Sequence, residues 1–269
     1  MRIGMIGCAG RMGRTILKEI LQSDGALLAG GVERAGSTAL GQDLGVLAGQ
    51  DPVGILAHDD VQRLIDEADA VIEFSSPEAS LAHARLCAGA GTAHVIGTTG
   101  FDGDQIEALR AQARRIPIVW APNMSQGVSL VAALVERVAK ALDDSYDIEI
   151  VEMHHRHKVD APSGTALALG RSAAAGRGIV LDEAAVRVRD GQTGPRPRGS
   201  IGFATLRGGD VVGDHTVIFA GDGERIEITH KASDRRIYAK GAVRAALWTA
   251  GRPPGLYGMA DVIGMAPKV

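Results

Sequence analysis

The chain has 269 residues, 45% hydrophobic and 23% charged, with a formal net charge of -3. This is ordinary globular material, long enough for two modest domains. The slightly acidic balance and the 3% aromatic content argue against a protein built mainly to hold nucleic acid.

The chain opens with Met-Arg-Ile-Gly-Met-Ile, too quickly interrupted for a signal peptide, and no apolar run approaches the roughly 20 residues of a bilayer span. Two cysteines, Cys8 and Cys87, make neither a disulfide framework nor a zinc knuckle. The expected location is the cytoplasm.

Residues 2–7 read as a buried strand, followed at once by a glycine loop and a helical pattern over residues 12–21. Residues 26–32, 70–74, 94–96 and 116–120 are further short apolar runs, with helical segments between them. Such alternation predicts an α/β fold with a Rossmann-like, doubly wound parallel sheet. After Ser125 the character changes. Residues 127–142 form an amphipathic helical pattern, residues 146–152 alternate with period two, and a helix is expected from Pro162-Ser163 to Ala175. Residues 201–206, 211–220 and 225–230 read as long strands, the last two joined by a Gly221-Asp222-Gly223 turn. They predict an α+β domain with an open, largely antiparallel or mixed sheet. Residues 237–249 return to helical periodicity until Gly251-Arg252-Pro253-Pro254-Gly255 stops it. The expected division is a dinucleotide-binding domain of residues 1–125 and 235–269 around a substrate domain of residues 126–234.

Gly7-Cys8-Ala9-Gly10-Arg11-Met12-Gly13 joins the first strand to the first helix. Backbone amides there face an anion, and the glycines let a pyrophosphate approach. The G-x-x-G-x-x-G spacing departs from the commoner G-x-G-x-x-G. Its supports are the preceding strand, the following helix and Glu33, placed where a ribose-binding acid belongs. An acid favours the free 2′-hydroxyl of NAD, whereas Arg34, with Arg11 and Arg14 nearby, suits the 2′-phosphate of NADP. Both are present, so NADPH or NADH is the expected cofactor; the alternative leaves Arg34 in solvent. Gly97-Thr98-Thr99-Gly100 and Ala121-Pro122-Asn123-Met124 each follow a strand end, where an open α/β sheet keeps its ligand. Small residues there let a nicotinamide ring lie against the backbone, although either tetrapeptide also reads as a plain turn.

The densest chemistry is Glu152-Met153-His154-His155-Arg156-His157-Lys158-Val159-Asp160-Ala161-Pro162-Ser163-Gly164-Thr165. The cations Arg156 and Lys158 disfavour a bound dication, and the spacing fits no compact zinc pattern, so no metal is expected. A solvated surface loop is the bland alternative. Anion binding combined with acid catalysis is the sharper one. Histidine titrates near neutrality and delivers a proton, and a lysine beside another cation can do the same. Gly164 and Thr165 would sit at the positive end of a helix, ready for a carboxylate, with His155 and Lys158 adding charge.

With these residues assembled, the chain closely resembles the dihydrodipicolinate reductase (4-hydroxy-tetrahydrodipicolinate reductase) family of bacterial lysine and diaminopimelate biosynthesis. The resemblance rests on residues 7–13, Glu33-Arg34, residues 97–100, Ala121-Pro122-Asn123 and, above all, residues 154–166. Gly202-Phe203-Ala204 and Ile228-Thr229-His230-Lys231-Ala232 also match. It implies hydride transfer from NADPH or NADH to a cyclic dicarboxylate. His154 would be the proton donor or acceptor and Lys158 a donor, with His155, Gly164 and Thr165 on the substrate carboxylates. Residues 7–12, Glu33, Arg34, Gly97, Thr98, Thr99, Ala121, Pro122, Asn123 and Met124 would hold the cofactor. A homotetramer assembled through the second domain's sheet is also implied, as is closure of the two domains about hinges near Ser125 and Asp234. Met124 departs from the phenylalanine common in the family; a thioether can fill the same apolar space. Competing readings are a homoserine or aspartate dehydrogenase on the same architecture, a non-catalytic nicotinamide-binding sensor, and a metal-dependent hydrolase.

Overall fold

The computed structural model describes residues 1–266; residues 267–269, which the sequence assigns to the nucleotide-binding domain, lie outside the described residues. The chain forms two compact units, one of Met1–Gln126 with Arg236–Gly264 and one of Gly127–Arg235.

The first unit runs β1 (Arg2–Ile6), α1 (Arg11–Gln22), β2 (Leu27–Val32), α2 (Leu44–Leu47), α3 (Val61–Glu67), β3 (Ala70–Glu73), α4 (Pro77–Ala90), β4 (Ala93–Ile96), α5 (Gly103–Ala113) and β5 (Pro117–Trp120). Local chemistry sets the boundaries. Ser76 caps α4 by accepting the Ala79 amide, Pro77 occupies the first turn, and Gly91 closes the helix in the left-handed conformation. Asp102 and Gln105 form a reciprocal capping box on α5.

All six strands of the first sheet pair in parallel, in the order β11-β5-β4-β3-β1-β2, where β11 (Gly255–Tyr257) is the C-terminal edge strand. Helices cover both faces. Met5, Ile72, Val95 and Val119 face α1 and the returning α9 (Arg236–Trp248), while Val71, Ile96 and Ile118 face α3, α4 and α5. This is the doubly wound class expected from the alternating runs. Sequence reading sees residues 251–255 only as a helix stop. A three-residue strand beside prolines is too short to show a period, and pairing with β5 defines it. The chain ends its described course in α10 (Met259–Val262), after Gly258.

α9 packs on this unit through small residues, Ala239, Gly241, Ala242, Ala245 and Ala246. A Cβ on Gly241 would lie 1.7 Å from the Met124 carbonyl oxygen, so glycine is required for that approach. α9 thereby fixes the loop that follows β5.

The second unit runs α6 (Gln126–Ala141), β6 (Asp147–His154), α7 (Gly164–Arg177), α8 (Leu181–Ala184), β7 (Ala185–Val186), β8 (Ile201–Arg207), β9 (Gly213–Gly221) and β10 (Glu224–Ala232). Its sheet is mixed, in the order β10-β9-β6-β8-β7: β9 is antiparallel to β6 and β10, and β8 is parallel to β6 and β7. α6 and α7 pack on one face over Ile148, Ile150, Ile201, Phe203, Val217 and Phe219. Among the described residues, no helix is long and apolar enough to cross a membrane.

Candidate active site

The period-two register that buries Ile148 and Ile150 continues along β6 to Glu152 and His154. In β9 the same inward register runs from Phe219 and Val217 to His215. Glu152 stands opposite His215 and beside Thr205, and His154 beside Arg207. One face of one sheet thus changes, at the carboxyl end of β6, from apolar core to a cluster of ionisable groups.

The Glu152 carboxylate is the centre of that cluster and is 1% exposed. His154 Nδ1 lies 2.6 Å from its Oε2. Arg207 donates to both oxygens, at 2.8 and 3.0 Å. The Ser163 amide donates at 2.9 Å. Burial alone would raise this carboxyl's pKa; Arg207, His154 and the Ser163 amide outweigh it and hold the group below its ordinary value. An ionised carboxylate only accepts, so Nδ1 of His154 carries a proton and Nε2 is the nitrogen left to exchange one. A Cβ on Gly213 would come within 2.9 Å of Nε2, so glycine leaves room there.

Ser163 links this network to α7. Its hydroxyl accepts the Ala166 amide, capping the helix, and is hydrogen-bonded to His215 Nε2 at 3.0 Å. Gly164 and Thr165 follow as the first two helical residues, one residue later than the expected helix start at Pro162-Ser163. The peptide before Pro162 is cis. Arg207 also donates to the Asp160 carbonyl at 2.6 Å, and the Arg156 amide to the Gly209 carbonyl at 3.3 Å, so β8 and its following turn brace the loop.

Lys158 pairs with Asp160 at 2.7 Å. His155 is held below its ordinary pKa, first by burial and then by the charges of Arg235, His157, His154 and Lys158. His155, Arg156 and His157, with Gly209 and Asp210, line an open cleft of about 690 Å³. The arrangement joins a carboxylate-held imidazole to a set of cations and a helix N-terminus, which suits an anionic substrate that exchanges a proton. No group of three His, Cys, Asp or Glu among the described residues is arranged to hold a metal ion.

Arg207, His215 and Arg235 carry no local signal in the sequence, and Glu152 stands there only as the first residue of the histidine-rich run. Extending the inward register of β6 and β9 to their ends would have exposed Glu152 and His215, since each stands where an apolar residue is due.

The glycine loop lies in the first unit. Gly7 has a φ of +78° that favours glycine, and a Cβ on Gly13 would sit 2.1 Å from the Gly7 carbonyl oxygen, so α1 packs directly on the loop. The Gly7 and Cys8 amides donate to the Val32 carbonyl, Gly10 to Gly7, and Ala9 to the Glu33 carboxylate at 3.1 Å. The amides of residues 7–10 therefore have partners within the protein, which leaves the amides of the helix N-terminus for an anion. The first-turn amides of Arg11, Met12 and Gly13 precede the first intrahelical bond, from Arg14 to Gly10, and the cap residue Gly10 brings no side chain to them. They fit a pyrophosphate. Glu33 stands over the loop, Arg11 and Arg34 are exposed, and the Arg14 guanidinium is engaged with the Ala9 carbonyl at 3.0 Å.

In this strand order the chain moves from β1 outward to β2 and then back across to β3, so the crevice between β1 and β3 is the switch point where such sheets hold ligands. The segment after β3, Phe74-Ser75-Ser76, belongs to that crevice and was not singled out from sequence. Gly97 meets it: a Cβ there would lie 2.2 Å from the Phe74 ring, so its missing side chain makes room for Phe74 rather than for a nicotinamide. Thr98 is buried and Thr99 exposed. Ala121 is buried, Pro122 exposed, and the Asn123 carboxamide oxygen accepts the Ser125 amide. The side chains of Cys8 and Met124 are 0% and 1% exposed within the apolar core. They support the loops from beneath, the Met124 thioether filling apolar space in the core.

Burial, then the neighbouring His154 charge, pushes His215 down from 6.5 to about 4, against the opposing pull of Glu152. A histidine held below its unfolded value stabilises the fold fully above that value, and the contribution is lost as the pH falls through the folded one. His215→Gln should therefore flatten the pH dependence of unfolding free energy between 6.5 and about 4. Urea denaturation across that window checks this, and an unchanged slope contradicts it.

Residues 1–124 match the family described as dihydrodipicolinate reductase, N-terminus, and residues 127–263 the one described as dihydrodipicolinate reductase, C-terminus. The 4-hydroxy-tetrahydrodipicolinate reductase of Afipia carboxidovorans is 54% identical over 268 residues, covering 100% of this chain and 98% of its own. That of Parvibaculum lavamentivorans is 57% identical over 266 residues, covering 98% of each chain. Among solved structures, a dipicolinate-bound dihydrodipicolinate reductase from Paenisporosarcina sp. TG-14 shares the fold, with a TM-score of 0.77 at 21% identity over 97% of this chain and 98% of that one. Family matches to both halves, and relatives more than half identical along its whole length, make this chain a member of the dihydrodipicolinate reductase family, which works with a nicotinamide cofactor.

Proposed function

We propose that the chain reduces 4-hydroxy-tetrahydrodipicolinate to tetrahydrodipicolinate in diaminopimelate and lysine biosynthesis, using NADPH or NADH. Beside family membership, the observation that carries this reading is the carboxylate-held His154 next to the cationic turn that opens α7. The reaction adds a hydride and a proton and releases the ring hydroxyl as water. The bound nicotinamide supplies the hydride.

The chain's own residues supply the rest. His154 exchanges the proton through Nε2, while Glu152 holds Nδ1 and stabilises the imidazolium whenever both nitrogens are protonated. Lys158, its ammonium paired with Asp160, is a second proton donor and a cation for the substrate. His155, Gly164 and Thr165 take the substrate carboxylates, and Arg235, close enough to depress the His155 pKa, joins them. A neutral His155 still donates a hydrogen bond, and the surrounding cations supply the charge.

The cofactor is held by residues 7–13, Glu33, Arg34, Thr98, Thr99 and residues 121–124, with Gly97 shaping the shelf through Phe74. Residues 1–126 and 236–264 thereby serve the dinucleotide and residues 127–235, Arg235 included, the substrate. Glu33 suits a free ribose hydroxyl and the exposed Arg34 a 2′-phosphate, which supports use of both nicotinamides. Leu206, half-exposed on the sheet face opposite α6 and α7, suits a homotetramer built through that sheet, and the cytoplasm is the proposed location.

Loss of NADPH absorbance on adding the fresh condensation product of pyruvate and aspartate semialdehyde, without added metal, tests the activity. No oxidation with NADPH still bound would leave the nicotinamide-binding sensor as the reading. His154→Gln should lower turnover about 10²–10⁴-fold with cofactor affinity little changed; near-normal turnover rejects the proton role. Arg34→Ala should raise the KM for NADPH more than that for NADH, and equal changes would remove Arg34 from phosphate recognition.

A further inference from the structure

Glu73 is the last residue of β3 and is 0% exposed, yet the chemistry above does not use it. Its neighbours on that face of the sheet are otherwise apolar or weakly polar, among them Val71, Ala84, Cys87 and Ile96. A buried carboxylate is costly there unless it is compensated, and an apolar residue would fill such a core at least as well. Its compensation is specific. Ser75 Oγ donates to Oε2 at 2.6 Å, and His83 Nδ1 lies 2.9 Å from the same oxygen. His94 Nε2 lies 2.7 Å from Oε1, outside hydrogen-bond geometry. Burial raises the pKa of Glu73, but the two imidazoles outweigh it and hold the carboxyl well below its ordinary value. The nearby Cys87 thiol is pushed up, first by burial and then by this charge.

The network leads to the segment after β4. The Ser75 amide donates to Thr98 Oγ1 at 2.9 Å, and Ser80 Oγ donates to the same atom at 3.0 Å. The Trp120 indole N–H donates to the Thr98 carbonyl at 3.1 Å. Phe74 fills the space beside Gly97. A chain of polar contacts and one ring therefore clamp the strand ends of β3, β4 and β5 together at the switch point of the sheet.

We propose that Glu73, with His83 and His94, is the positioning group of the cofactor shelf: it fixes Ser75, and through Ser75 fixes Thr98, in the spacing that receives the nicotinamide cofactor. This rests on the reading of residues 97–99 as part of the cofactor site. The carboxylate touches neither cofactor nor substrate and acts through Thr98.

Glu73→Gln keeps the shape and removes the charge. The dissociation constants of NADPH and NADH, measured by fluorescence without substrate, should rise about tenfold, the worth of one charge-assisted hydrogen bond. The KM for the dicarboxylate should stay unchanged. In a Trp248→Phe background Trp120 is the sole tryptophan, and its emission in the cofactor-free protein should shift with Glu73→Gln. A lowered Tm with unchanged cofactor affinity and unchanged Trp120 emission would reduce Glu73 to a core residue and overturn the proposal. If Glu73→Gln does not fold, His83→Gln, from a partly exposed position on α4, should weaken both nicotinamides several-fold in the same direction, the expected size for one lost donor; no change overturns the proposal. Thr98→Ala separates the two levels. Unchanged nicotinamide affinity in that variant removes the shelf and the proposal together, whereas weakened affinity there with an unaffected Glu73→Gln removes only the positioning role.

Discussion

The second unit depends on one buried acceptor. The Glu152 carboxylate takes hydrogen bonds from an imidazole on its own strand, a guanidinium on the neighbouring strand and the backbone amide that precedes α7. Removing any one donor leaves an ionised group in a dry site with unmet demand, a far larger cost than the bond itself contributes. The same contacts decide the chemistry. The bond to Nδ1 selects the His154 tautomer, the bond to Ser163 sets where α7 begins, and the bidentate Arg207 keeps the carboxylate charged. The tautomer, the helix N-terminus and the loop carrying Lys158 are thus consequences of one residue's register in β6.

The first unit repeats the device in another setting. Glu73, also at the end of a strand and also fully buried, gathers a serine hydroxyl and two imidazoles where the parallel sheet changes direction. In both units apolar side chains fill the middle of the sheet and ionisable ones finish it. That division lets the core carry stability while the strand ends carry recognition, because a strand end can offer its side chain to a loop without opening the packed interior.

Much of this was legible in the sequence. The alternating runs, the glycine loop before α1 and the histidine-rich turn before α7 each carry a local pattern, and local patterns survive being read one segment at a time. What escaped was made by pairing. Arg207 and His215 are dozens of residues from His154 and become neighbours only through the β6–β8 and β6–β9 ladders. The reason for Gly97 is Phe74, one strand away, and the fate of Met124 is set by α9, far along the chain. Residue types showed that a proton donor and anion-binding groups were present, but the carboxylate organising them looked like a stray acid until the register of β6 carried it inward.

The central claim is that Glu152 holds His154 through Nδ1 and leaves Nε2 for proton exchange. The most direct measurement is the imidazole nitrogen and proton spectrum of His154 in ¹⁵N-histidine-labelled protein, compared with Glu152→Gln. The account predicts the Nδ1–H tautomer in the native protein, its proton shifted far downfield and protected from exchange, with that signal lost in the variant. An Nε2–H tautomer in the native protein, or an Nδ1 proton identical in both, would contradict it.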